Sequence, residues 1–160
     1  MTLNLWKGGR PIVTLRTVVG SGKESGAWLG KTAKAQTPEL CDEVETIEIN
    51  PFWYIPEIIV RTELIQKEKR KPGWLDKGGY EWYEPGTGKS GGKASEIPED
   101  DWKNPAKKLR LRQKAGAGNS LGRIKFVFQN AYGVYLHDTP EKQYFKKARR
   151  NFSHGCVRLE

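Results

Sequence analysis

Apolar and polar residues alternate in several stretches of this chain, and each stretch reads as a strand. Residues 12–20 are rich in β-branched side chains and stop at Gly20 and Gly22, so two strands are expected to open the fold. Residues 43–49 alternate with period 2, predicting a half-buried strand halted by Asn50-Pro51. Segments 108–113 and 124–128 alternate again on either side of a glycine-rich turn at 116–119. A short strand over 132–137 follows, with His137 at its end, and 152–159 is extended. Helical spacing appears at Ile58, Ile59, Leu64 and Ile65, predicting a helix from Glu57 to about Arg70 that stops before Pro72. Residues 141–150 have helical composition, with Thr139 as cap and Pro140 at the first helical position.

Between these patterned halves, 71–104 shows little periodicity and reads as a loop-rich insertion. It carries Trp74, Tyr80, Trp82 and Tyr83, too many aromatics for a solvated linker, so a lid or binding element is expected. Within it, Gly86-Thr87-Gly88-Lys89-Ser90 looks like a phosphate loop but has the wrong glycine spacing and no preceding strand, so a flexible tip is the reading. The predicted fold is mainly β, with one or two helices and an inserted capping loop. The helix and lid together span 57–108 of a single domain, 1–160.

Composition narrows the setting. The 160 residues suffice for one domain with its own core, and no apolar run reaches the roughly 18 residues of a membrane-spanning helix. The chain does not open on an export signal, which leaves a cytosolic protein or a matured exported one. The net charge of +9 suits an anionic polymer. Its basic residues are dispersed, as in Lys67-Glu68-Lys69-Arg70, with no nucleic-acid module around them, so a solvated face is expected and no nucleic acid.

The candidate chemistry lies in His137-Asp138-Thr139-Pro140 and Ser153-His154-Gly155-Cys156-Val157-Arg158, which hold both histidines of the chain and one of its two cysteines. An imidazole beside a thiol turns it into a nucleophile, and a glycine just before it lets a carbonyl approach the backbone. Cysteine acyl transfer through Cys156 is therefore the first hypothesis. A zinc site is the rival, but His-Gly-Cys lacks the usual ligand spacing, and no metal or cofactor is expected. A Cys41–Cys156 bridge would block the thiol, so Cys41 is expected unpaired, beside the strand that follows it.

The same segments, together with Val18-Val19-Gly20, Thr37-Pro38, Asn50-Pro51-Phe52-Trp53-Tyr54, Arg112-Gln113, Asn119-Ser120-Leu121-Gly122-Arg123 and Tyr135-Leu136, resemble an L,D-transpeptidase catalytic domain of the YkuD type. The closest resemblance is to the branch with a large capping loop. The family signature puts 14 to 17 residues between the first histidine and Ser/Thr-His-Gly-Cys, and here 138–152 supplies 15. Arg158 stands where most of the superfamily has Asn, which marks the capping-loop branch, and family members run on past the position of Glu160, so truncation is expected.

The resemblance implies a β-rich YkuD-like sandwich or barrel, with Cys156 as nucleophile, His137 as general base and His154 lining the site. It also implies that Asp138 orients His137 through its backbone carbonyl. The N–H groups of Gly155 and Cys156 are expected to form an oxyanion hole, and Ser153, Arg158, Tyr135 and Asn119 to meet substrate. Implied partners are peptidoglycan stem peptides, as acyl donor and acceptor, and carbapenem-type β-lactams as inhibitors. A stem amine as acceptor gives 3-3 cross-links; water or an envelope lipoprotein would make a carboxypeptidase or an anchoring enzyme, and a distorted site a wall-binding module. The implied location is the periplasm or cell envelope.

Overall fold

Gly8 and Gly9, both at positive φ (57° and 74°), make a two-residue turn that closes the first hairpin. The computed structural model describes residues 1–28, 31–104, 106 and 109–160, and for 24–28, 31–34 and 103 the backbone alone. In chain order the strands are β1 (Thr2–Lys7), β2 (Arg10–Gly20), β3 (Glu24–Trp28), β4 (Lys31–Lys34), β5 (Thr46–Ile49), β6 (Trp53–Tyr54), β7 (Tyr80–Tyr83), β8 (Ser90–Lys93), β9 (Leu111–Gln113), β10 (Ile124–Val127), β11 (Leu136–His137), β12 (Asn151–Ser153) and β13 (Val157–Leu159). They fall into two compact units, 1–24 with 34–51 and 120–160, and 25–33 with 52–119.

The first unit is one sheet in the order β1-β2-β13-β11-β10-β5, with β12 also paired to β2. All neighbours run antiparallel except β11 beside β13 and β12 beside β2. Its buried side chains are few: Val18, Leu121, Val134, Phe145 and Leu159 supply most of the apolar core. The strand expected over 43–49 is shorter, and its apolar residues face outward, Ile47 being 57% and Ile49 65% exposed. The reason is position: β5 is the outermost strand of the sheet, and its polar residue, Glu48, turns to the other face to pair with Lys125. The helix expected over 141–150 contracts to a 3-10 turn, Lys142–Lys146. The backbone is non-helical at Glu141 and extended at Lys147, while Thr139 Oγ1 accepts the Glu141 N–H.

The second unit corrects the reading of 71–104 as loop. Strands β6-β9-β7-β8 form a four-stranded sheet, and short helices lie at Trp74–Lys77 and Glu99–Lys103. The helix at 57–70 is as expected, with a π-helical turn at Val60–Leu64 inside it. Its apolar side contributes Ile59, Val60, Leu64 and Ile65 to a core shared with Leu75, Tyr80 and Leu111. Trp74 stacks on Tyr80 with ring centroids 5.3 Å apart, and Trp53 packs against the same core. Trp74 and Tyr80, two of the aromatics that argued against a plain linker, thus pack the interior of this unit. The stretch expected as a flexible tip holds a turn whose Gly88 carbonyl accepts from Arg112, and from Ser90 it becomes β8.

At the centre of that sheet lies a buried ion pair. Arg112 Nε and Nη2 sit 2.8 and 2.7 Å from Glu81 Oε1, and the guanidinium covers the Phe52 ring at 4.3 Å. Ser90 Oγ and Lys114 Nζ satisfy Glu81 Oε2. Burial alone raises the Glu81 carboxyl, but Ser90, Arg112 and Lys114 outweigh it and hold it below the usual carboxylate range.

Candidate active site

Cross-strand register assembles the site. Across the first sheet, Glu48 pairs with Lys125, Lys125 with His137, His137 with Arg158, and Arg158 with Val18. Residues in register share a face of a pleated sheet, and extending the alternation two residues back from His137 and Arg158, just ahead of each strand, puts Tyr135 and Cys156 on that face as well. The parallel pairing of β11 and β13 aligns Tyr135 with Cys156, and the Val157 N–H donates to the Tyr135 carbonyl at 3.0 Å. The structure thereby brings Cys156, His137, Tyr135 and Arg158 onto one surface.

His137 is 4% exposed, and its Nδ1 lies 2.5 Å from the Asp138 carbonyl oxygen. A carbonyl can only accept, so the Nδ1 proton is held there. Burial lowers the ring's pKa to about 4, against the Asp138 and Leu121 carbonyls that favour its cation; Arg158 adds to the lowering. The imidazole is neutral at physiological pH.

The Asp138 carboxylate works outward, away from the ring. Its Oδ1 accepts from the Thr139 N–H at 2.7 Å and from Lys142 Nζ at 2.6 Å, and Oδ2 accepts from the Arg123 N–H at 2.9 Å. Burial raises this carboxyl, but these donors outweigh it and keep it ionised below its ordinary range. A Cβ on Gly122 would fall 2.3 Å from Oδ2, so only glycine lets the turn close on Asp138.

Cys156 is a free thiol at intermediate exposure. Burial pushes its pKa up; the Tyr135 backbone and hydroxyl, which both hydrogen-bond it, and the charges of Arg158 and Lys125 pull the other way. The loop before it is braced from within. Ser153 Oγ donates to the Cys156 carbonyl at 2.6 Å and accepts the Gly155 N–H at 3.1 Å, while Thr37 Oγ1 donates to the Gly155 carbonyl at 2.7 Å. The Gly155 N–H, expected in an oxyanion hole, is thus committed to Ser153, and the Cys156 N–H is the donor that stands beside Sγ.

The expected residues differ in exposure and partners. Ser153 is 3% exposed with its hydroxyl engaged inside the loop, and His154 is exposed. Asn119 belongs to the second unit, is 1% exposed, and donates its amide to the Gln113 and Lys114 carbonyls, which makes it a lock on the turn. Cys41, expected beside a strand, is exposed in a segment without strand structure. Arg158 pairs with Glu141 at 2.5 Å, while its Nε is buried with no partner among the described residues. Thr37, Glu48 and Lys125 were not singled out for the site from the sequence. Inverted burial on β5 and β10, with isoleucines out and charges in, is the signal that would have found the last two.

Gly155 adopts φ +137°, and a Cβ there would lie 3.2 Å from the Gln36 carbonyl oxygen and 3.3 Å from Val134 Cγ1. Gly155→Ala is expected to cost about 1–3 kcal/mol through the strained backbone. Urea unfolding of the variant against the parent measures this, and an unchanged midpoint would show that the loop has another way to relax.

The chain is 28% identical over 159 residues to a Haemophilus influenzae protein named "Putative L,D-transpeptidase", a match covering 99% of this chain and 29% of that protein. The chain thus spans under a third of the length of that relative. The model of the YkuD family, the L,D-transpeptidase catalytic domain, matches residues 1–160. A β-rich sheet that carries His137 on β11, beside the strand that follows Cys156, matched end to end by that family model, makes this chain a member of the YkuD L,D-transpeptidase catalytic-domain family.

Proposed function

We propose that this domain is a cysteine-dependent acyltransferase acting on peptidoglycan stem peptides, with Cys156 as nucleophile and His137 as base. The observation that carries the reading is the buried imidazole of His137, its Nδ1–H held by the Asp138 carbonyl, on the strand paired in parallel with the one that follows Cys156. Burial favours a protonated thiol and an unprotonated ring, so the resting pair is neutral and the proton moves as the bond forms. Cys156 Sγ attacks the carbonyl of the third stem residue while its proton passes to His137 Nε2. The oxyanion that develops takes a hydrogen bond from the Cys156 N–H. The peptide C–N bond then breaks, the leaving D-Ala amine takes the proton from His137, and a thioester remains. An acceptor amine attacks that thioester, the C–S bond breaks, and the thiolate regains a proton. An amine of a neighbouring stem as acceptor gives a 3-3 cross-link, chemistry that belongs in the cell envelope.

Intact-mass spectrometry after incubation with a carbapenem tests this reading. A single adduct is expected on the parent and on Cys41→Ala, and none on Cys156→Ala. A folded parent that takes up no adduct would remove the active-enzyme reading. A tetrapeptide stem offered with and without an amine acceptor then separates transfer from hydrolysis.

A further inference from the structure

Lys125 is set apart by where its charge is kept. On β10 the isoleucine, Ile124, is 37% exposed, whereas the Lys125 side chain is 16% exposed. The ordinary arrangement on a half-exposed strand is the reverse, because a lysine ammonium keeps its hydration at little cost by facing water. Here the ammonium turns to the catalytic face, in register with His137, and lies 4.7 Å from the centroid of the Tyr135 ring. Glu48, in register on β5, holds it at 3.2 Å through both carboxylate oxygens. The Tyr135 hydroxyl in turn hydrogen-bonds Cys156. Glu48, Lys125, Tyr135 and Cys156 therefore form one contiguous chain from the sheet edge to the nucleophile.

We propose that Lys125 is a positioning residue for the acyl transfer: stacked on Tyr135 and clamped by Glu48, it fixes the ring so that the hydroxyl supports negative charge on Cys156 Sγ. A cation over an aromatic face is attracted by the ring's quadrupole, the more so when partly desolvated, and it draws electron density from the phenol, making the hydroxyl a better donor. The other charged or titratable groups facing the sulfur are His137 beside Tyr135 on β11 and Arg158 on β13, whose charge Glu141 balances. With the thiol protonated at rest and a weakly basic imidazole to receive its proton, the developing thiolate needs such support. The inference rests on the reading of Cys156 as nucleophile.

The test uses iodoacetamide alkylation of Cys156 as a function of pH in a Cys41→Ala background, which needs no substrate. Lys125→Met is expected to slow alkylation at pH 7 by about three- to tenfold and to move its inflection to higher pH, with Lys125→Arg close to the parent. Tyr135→Phe, which keeps the ring and its packing, should show the same displacement. Lys125→Met should add less than its own single effect when Tyr135→Phe is already present. A parental profile for Lys125→Met or for Tyr135→Phe overturns the proposal, as does full additivity of the two. Carbapenem acylation of the parent is read in parallel: its absence would sink the acyltransferase reading, while the alkylation profiles still decide the role of Lys125.

Discussion

His137→Gln is expected to slow acylation of Cys156 by about 10²–10⁴-fold while leaving the domain folded. Glutamine can still donate to the Asp138 carbonyl, so the local hydrogen bond survives and the loss isolates the missing base. The pH dependence gives a second handle. Because burial lowers the His137 pKa from an ordinary 6.5 to about 4, the base stays competent to far lower pH than a solvated histidine would. The acid limb of the parent's acylation rate should therefore fall near pH 4, and a limb near 6.5 would show that the ring is solvated when it works. Stability follows the same group. The unfolded chain takes up this proton near 6.5 and the folded one only near 4, so parental stability is complete above 6.5 and declines as pH falls between those values. Urea titrations at pH 7 and pH 5 should show that decline in the parent and a shallower one in His137→Gln.

Arg112→Met should be the most destabilising single change outside the active face, at about 3–5 kcal/mol near neutral pH. It strands the Glu81 carboxylate, whose side chain is 4% exposed, with only Ser90 and the solvent-facing Lys114 to support it. It also frees the Gly88 carbonyl and uncovers Phe52. The sign with pH is definite. Glu81 titrates below its ordinary value of 4.5 in the folded protein, so its contribution is present above that value and is lost as pH falls through the folded one. The gap between parent and variant should accordingly be largest at pH 7 and narrow towards pH 4. A deficit below about 1 kcal/mol at pH 7 would mean that the sheet relaxes around the lone carboxylate.

Much of this was legible in the sequence because it was local. Alternation at 12–20 and 124–128 and helical spacing at 57–70 marked elements that the structure contains, and the spacing from His137 to Ser153-His154-Gly155-Cys156 carried the family. What escaped depended on partners distant along the chain. Ile47 and Ile49 look like an inward face until the register of Glu48 with Lys125 turns the strand over. Residues 80–83 become strand because Leu111–Gln113 pairs with them from some thirty positions away, and no local pattern announces that. Ser153 and Asn119 are expected at substrate through the resemblance; the backbone carbonyls that take up their side chains appear only in three dimensions.

The parallel pairing of β11 with β13 couples the history of the chain to its reactivity. Two-residue β11 is held between β10 and β13, and Cys156 stands immediately before the second of these strands. Before this contact closes, the thiol has neither the tyrosine hydroxyl nor the imidazole beside it and behaves as an ordinary cysteine. The setting of the thiol is thus acquired with a long-range closure of the sheet. A nascent or partly unfolded molecule carries that cysteine without its built surroundings, so acyl transfer by this route begins only with the assembled sheet.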